Sequence, residues 1–313
     1  WTRVSLLLLW SIIEPNLGDP YNWNAPPGTP DTTLRAIYEP PNQIHCLAVI
    51  TPGMGPTTRN PVQYPNEWQA FVRAAAERYD GDGIDDADPN IRVNYFQLVN
   101  EDQDWRNLSF GTAGNYGQTA RLTLDALRSA NHNAKLVLVG SGGRPPLQQF
   151  VQDAIDACIT NGVELTAIDL HHWASSDAFS WKVPNVPTAR SFLDSRGLSG
   201  VEIWSTEHAA WTGCPTGAPV ISEEDQARWL IKSFTYNRER GLDKIQWSQL
   251  IDWYMFQGNA GSIFNSMGLL GDGRLNCETL DRRGTERIAY WAFRNLASKM
   301  DNGIATLSGR VSG

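Results

Sequence analysis

No apolar run in the 313-residue sequence approaches the ~20 residues that a bilayer-crossing helix requires. The longest, Val4 to Trp10, is interrupted by Ser5, so neither a spanning helix nor a membrane partner is expected. Cations are scarce as well: 26 Lys and Arg against 34 Asp and Glu leave a net charge of −8, which disfavours a groove that tracks phosphates. Nucleic acid is therefore not expected as a partner. The four cysteines, Cys46, Cys158, Cys214 and Cys277, include no C-x-x-C pair, which argues against a zinc site or a dithiol redox centre. A phosphate-gripping glycine loop is missing too. The only glycine-rich strand end, Gly140-Ser-Gly-Gly143, fits neither G-x-G-x-x-G nor a P-loop and reads as a plain turn, so a dinucleotide cofactor is not expected. Methionine is sparse, at 4 residues, but Trp reaches 13 and Tyr 9, a surplus that suggests planar faces used for binding. A 41% hydrophobic content excludes disorder and supports a substantial core.

Short β-branched apolar runs alternate with segments of helical period along the whole chain. Strands are predicted at Thr2–Leu9, Ile44–Thr51, Arg92–Val99, Lys135–Gly140, Leu165–His171, Val201–Thr206 and Lys244–Asp252. Helices are predicted at Thr32–Tyr38, Pro65–Tyr79, Asn115–Asn131, Pro146–Asn161, Val186–Arg196, Glu223–Arg240 and Thr285–Ser298. Ser222 followed by Glu223, Glu224 and Asp225 supplies an N-cap and puts acids against the positive end of the helix dipole. The fold class is α/β. Seven βα units plus one ahead of Trp1 would make eight, so the expectation is a (β/α)8 TIM barrel over residues 1–300 whose first strand is missing from this sequence. Residues 301–313 read as a tail or the start of a further β domain.

In such barrels the chemistry sits at the C-terminal ends of the strands. The third run, Asn94-Tyr-Phe-Gln-Leu-Val-Asn-Glu101, ends in an Asn-Glu pair, and the sixth, Val201-Glu-Ile-Trp-Ser-Thr-Glu207, ends in a second glutamate. Counted with the missing strand, they end the fourth and seventh strands, which face each other across a barrel mouth. Glycoside hydrolysis needs such a pair, one carboxyl to protonate the leaving oxygen and one to attack or stabilise the anomeric carbon. Mutual repulsion and unequal burial can separate their pKa values. Glu202, near the start of its strand, reads as structural, and Glu14 as a solvated loop acid. The double histidine His171-His172 ends the fifth run, and alternation points only one of them at the barrel axis to bond a sugar hydroxyl or a carboxylate. His208 directly follows Glu207 and is expected to orient it. Arg3 lies inside an apolar strand, where an unpaired guanidinium is costly, so it needs an anion. Trp10, Trp105, Trp173, Trp211 and Trp253 fall at or beyond strand tips, where indoles suit the C–H faces of sugars.

The Asn100-Glu101 pair, Glu207 three strands later and the surrounding aromatics resemble the clan-A retaining glycoside hydrolases. The segments Trp1-Thr-Arg-Val with Trp10-Ser-Ile-Ile-Glu-Pro15, and Gly268-Leu-Leu-Gly-Asp-Gly-Arg274 with Ala289-Tyr-Trp-Ala-Phe-Arg294, are similar to members that include β-xylosidases and α-iduronidases. The resemblance implies that Glu101 is the general acid/base, Glu207 the nucleophile and Asn100 the residue that binds the sugar 2-hydroxyl. It also implies that Arg3 lies beneath the nucleophile and helps keep it ionised, and that Trp253 floors the sugar site. Two positions depart from the pattern: Asp102 stands where proline is usual, and Val99 where tryptophan is usual. The expected partner is a β-linked carbohydrate. Rival readings are a carbohydrate-binding barrel without activity and a metal-dependent hydrolase, the latter disfavoured because only His171, His172 and His208 fall near the mouth. Cys214 and Cys277 lie in loops at one barrel end and can form a disulfide, which would suit an exported enzyme, while Cys46 and Cys158 read as buried thiols.

Overall fold

The computed structural model describes residues 1–40, 44–53, 58–101, 112–142, 149–173, 186–212, 221–252, 266–271, 275–276, 279–280 and 284–301. Seven strands make one sheet in chain order: β1 (Thr2–Leu9), β2 (Cys46–Thr51), β3 (Tyr95–Leu98), β4 (Lys135–Gly142), β5 (Ala167–Trp173), β6 (Glu202–Ala209) and β7 (Lys244–Trp247). The pairs β1–β2, β2–β3, β3–β4 and β6–β7 are parallel. The helices are α1 (Trp10–Ile13), α2 (Pro30–Tyr38), α3 (Pro65–Arg78), α4 (Ala113–Ala130), α5 (Gln149–Thr160), α6 (Val186–Asp194), α7 (Glu223–Glu239) and α8 (Ile288–Asp301). At least one helix follows each strand, as the alternation of apolar runs predicts. The chain's own first strand, Thr2–Leu9, stands at one end of the strand order. Residues 302–313 lie outside the described residues.

The chain divides into two compact units, Trp1–Asp169 with Phe192–Glu202, and Leu170–Ser191 with Ile203–Gly313. In the first, β2 reads Cys-Leu-Ala-Val-Ile-Thr and is buried at every position, the pattern of a parallel strand covered on both faces. α3 turns Trp68, Phe71, Val72, Ala75 and Ala76 inward at spacings of three and four, and Pro65 opens it where a missing N–H costs nothing. The Trp68 indole N–H donates to Thr123 Oγ1 at 3.0 Å and ties α3 to α4. A Cβ on Gly117 of α4 would lie 2.6 Å from the Ala157 backbone, so glycine permits the close approach of α4 and α5. Cys46 and Cys158 are buried free thiols, as expected, and burial pushes Cys46 up to about 12.

Asp31 on α2 anchors this unit from within. Its carboxylate accepts Arg78 Nε at 2.9 Å, Arg78 Nη2 at 2.7 Å and the Tyr79 hydroxyl at 2.9 Å. Burial works against the charge, but the bonds from Arg78 and Tyr79 outweigh it and hold the carboxyl below the ordinary aspartate range. A lowered folded-state pKa stabilises the protein above the unfolded value, about 3.9 for aspartate, and the contribution is lost as pH falls through the folded value. Asp31→Asn is therefore expected to lower unfolding stability by about 2–4 kcal/mol at pH 7. Urea titrations should show the gap from the parental protein narrowing as pH falls below the unfolded aspartate value of about 3.9.

In the second unit, α7 begins where the sequence places it. Ser222 Oγ accepts Asp225 N–H at 3.1 Å, with Glu223, Glu224 and Asp225 in the first turn. One apolar cluster joins Ala209, Ala210, Trp211, Ile221, Trp229 and Met267, with Trp173 and Trp247 packed on it. A second joins Leu230, Phe234, Leu269 and Ala289. Arg287, 1% exposed, holds Asp252 through two bonds at 2.6 and 2.9 Å and also donates to Gly268 O at 2.8 Å.

Three boundaries differ from expectation for local reasons. β3 begins only at Tyr95 and closes at Leu98, because Val99 adopts φ +66. Residues 10–13, expected as loop, form the helical turn α1. β7 stops at Trp247 rather than Asp252, because the following backbone turns to pair with 269–270: Leu270 N–H donates to Leu250 O at 2.8 Å and Asp252 N–H to Leu270 O at 3.1 Å.

Candidate active site

In the first unit the β3 tip is set by a backbone conformation that a β-branched residue adopts only when its surroundings enforce it. Val99 sits in the left-handed region at a cost of about 1–3 kcal/mol. Its N–H still donates to Ile50 O at 2.9 Å, and the turn delivers the half-buried Asn100 and Glu101. Arg3, two strands away on β1, reaches this tip. Its Nη2 donates to Asn100 Oδ1, its Nε to Gln97 Oε1 and its Nη1 to Ser5 Oγ, each at 2.6 Å. Gln97 in turn donates from Nε2 to Asp169 Oδ2 at 2.8 Å. Arg3 is thus linked through one amide to the buried Asp169 carboxylate. Gln97 and Asp169 escaped the sequence reading although they carry the same signal as Arg3, a polar residue inside an apolar strand.

Two nearby expectations are corrected. Trp10 is fully buried, packed on Trp68 and Phe71, with its indole N–H donating to Glu14 Oε2 at 2.6 Å. It is a core residue and offers no face to a sugar. Glu14 is not a solvated loop acid: it is buried, accepts Gly18 N–H at 2.8 Å and lies 3.5 Å from the Arg59 guanidinium, which also stacks over Trp10.

In the second unit, strand alternation resolves the double histidine. His171 on β5 is buried with Nδ1 3.5 Å from Glu207 Oε2, near the C-terminal end of β6. Its neighbour His172 points the other way, stacked on Trp229 of α7 and packed on His208. His172 is therefore corrected from the sugar site to the strand–helix packing layer. The same correction applies to His208, whose Nε2 pairs with Ser233 Oγ on α7 at 2.5 Å and whose Nδ1 pairs with Ser205 Oγ at 3.3 Å. Burial, then the neighbouring His172, pulls the His208 pKa well below the ordinary range and keeps the ring neutral. It faces α7 while Glu207 faces His171, so it does not orient the carboxylate by direct contact.

Trp211, 4% exposed, belongs to the apolar cluster with Trp229 and Met267, and its expected role as a sugar platform gives way to packing. Trp173, at the end of β5, is half-buried against the same cluster and keeps part of its surface open. Glu202 is the first residue of β6, half-buried, with its N–H bonded to Thr166 O at 3.0 Å. Trp105, Trp253, Cys214 and Cys277 lie outside the described residues. Away from the strand tips, Asp80, Asp82 and Asp86 bring carboxylate oxygens within 4.8 Å of one another. Those groups already accept N–H bonds from Gly81, Asp82, Gly83 and Ile84, which is the chemistry of a tight turn. No helix among the described residues is long and apolar enough to cross a membrane.

Neither a protein-family model nor a curated protein sequence matches the chain. Solved structures do. A glucosidase from Croceicoccus marinus superposes with a TM-score of 0.63 at 15% identity, covering 95% of this chain and 59% of its own. Xylanase 10B from Thermotoga maritima gives 0.61 at 15% identity, covering 96% of this chain and 88% of its own. A β-glucosidase from Thermotoga maritima gives 0.60 at 11% identity, covering 97% and 84%. The fold is that of a TIM barrel. All three neighbours are glycosidases by name. The chain spans 59% of the Croceicoccus marinus enzyme.

Proposed function

We propose that the chain is a retaining glycoside hydrolase acting on a β-linked oligo- or polysaccharide, with Glu207 as nucleophile and Glu101 as general acid/base. The observation that carries the reading is the position of the two glutamates. Glu101 follows β3 and Glu207 lies near the end of β6, both at the C-terminal ends of strands, where TIM barrels hold their chemistry. In the first step Glu207 attacks the anomeric carbon while Glu101 gives its proton to the departing glycosidic oxygen. In the second, Glu101 takes a proton from water as the water oxygen attacks the same carbon and releases the Glu207 carboxylate. Asn100 bonds the sugar 2-hydroxyl, and His171 supports the Glu207 carboxylate. Retention by this route requires carboxyls about 5–5.5 Å apart, whereas inversion requires roughly 6.5–9.5 Å.

The test is hydrolysis of a panel of aryl β-glycosides of xylose, glucose, mannose, galactose and glucuronic acid, with the first product followed by proton NMR. At least one should be cleaved, releasing the β anomer before mutarotation. A first product of α configuration would contradict retention, and binding of the panel without cleavage would support a carbohydrate-binding barrel instead.

The two histidines of β5 should separate cleanly. Removing a hydrogen-bonding partner of a charged group costs about 1.5–3 kcal/mol, so His171→Ala is expected to lower kcat/KM about 10–100-fold. His172→Phe, which keeps a ring against Trp229, should leave KM within about twofold and act on thermal stability instead. Steady-state kinetics and melting curves of the two variants check both statements.

A further inference from the structure

The polar side chains inside the first unit form a chain with a direction. Asp169 on β5 and Gln97 on β3 are both 0% exposed. Gln97 donates to Asp169, Arg3 donates to Gln97, and Arg3 donates again to Asn100. A guanidinium has donors only, and an ionised carboxylate has acceptors only. An amide held between them is satisfied in one orientation, with its NH2 toward the carboxylate and its oxygen toward the arginine. The same rule acts at the far end, where Arg3 takes the Asn100 oxygen and leaves the Asn100 NH2 as the free arm of the amide. A side-chain amide is otherwise easily reversed, since its two ends differ little in shape.

We propose that Asp169 and Gln97 are positioning residues that act through Arg3 to lock the Asn100 amide, so that it presents N–H donors at the β3 tip beside Glu101. The proposal rests on the glycosidase reading for its substrate: a donor at this point selects a sugar whose C2 substituent accepts a hydrogen bond, a hydroxyl rather than an ammonium group. Asp169→Asn is the decisive variant. It keeps the shape of the side chain but can donate as well as accept, so Gln97 loses its fixed orientation and, with it, its fixed bond to Arg3.

The experiment measures order and turnover in the same protein. With asparagine side chains labelled with nitrogen-15, and the Asn100 signal assigned by its loss in Asn100→Ala, the parental NH2 group should show an order parameter near about 0.85. In Asp169→Asn, and in Gln97→Met as the second variant, it should fall below about 0.6. Both variants should lose about tenfold in kcat/KM on an aryl glycoside bearing a 2-hydroxyl, most of it in kcat, and less than about twofold on the 2-deoxy counterpart. Should Gln97→Met not fold, the isosteric Asp169→Asn carries the test alone. Unchanged order in the variants, or equal losses on the two substrates, would overturn the proposal. The order measurement needs no turnover, so a parental protein inert toward every glycoside overturns the glycosidase reading and leaves the lock to be judged by the amide alone.

Discussion

Glu207→Gln is expected to lower kcat on every aryl glycoside by at least about 10⁴-fold, because the amide has no lone pair basic enough to form the glycosyl ester on which the double displacement depends. The fold should survive. Glu207 is half-buried near a strand end rather than enclosed in the core, and glutamine preserves its volume, so the unfolding free energy should change by less than about 1 kcal/mol. Stopped assays and a urea titration on the same preparation check both halves. A variant that cleaves at the parental rate removes Glu207 from the mechanism, and a variant that fails to fold is replaced by Glu207→Ala.

Glu101→Ala should behave differently, and the difference identifies its role. An acid that protonates the leaving group matters in proportion to how poor that group is, so the loss should reach about 10²–10⁴-fold on unactivated disaccharides. It should be far smaller on dinitrophenyl glycosides, whose leaving oxygen needs no proton. On those substrates the second step becomes limiting, because water has lost its base. Azide, which attacks without giving up a proton, should restore turnover and yield a β-glycosyl azide. On the proposed mechanism the first step needs Glu101 protonated, so any alkaline fall in the parental activity should vanish in Glu101→Ala. Equal losses on activated and unactivated substrates would contradict the assignment.

The strands were legible because buried parallel strands must be apolar on both faces, and β2 carries such a run. The end of β3 was not. Nothing in Leu98-Val99-Asn100 announces a left-handed valine, a conformation imposed by the surroundings against local preference. Both glutamates stand out as candidates because a carboxylate at the end of an apolar run has few structural uses. The tryptophans could not be sorted, since an indole near a strand tip serves a core or a cleft equally well, and only packing assigns Trp10 and Trp211 to the core. For His171 and His172 the sequence supplied the rule that one faces each way. Which one faced the carboxylate depended on the register of β5 and on the position of Trp229 on α7. Gln97 and Asp169 were passed over because neutral amides and lone acids inside strands read as tolerated exceptions until their bonds to Arg3 and to each other are seen.

Covalent trapping tests the central claim most directly. The full chain is incubated with a 2-deoxy-2-fluoro-β-glycosyl fluoride of whichever sugar the panel selects, and the adduct is mapped by mass spectrometry of a proteolytic digest. One fluoroglycosyl group per protein, carried on the peptide containing Glu207 and attached through its carboxylate, is the predicted result. A label on any other residue, or an enzyme that turns over the parent glycoside yet never accumulates an adduct, would contradict it.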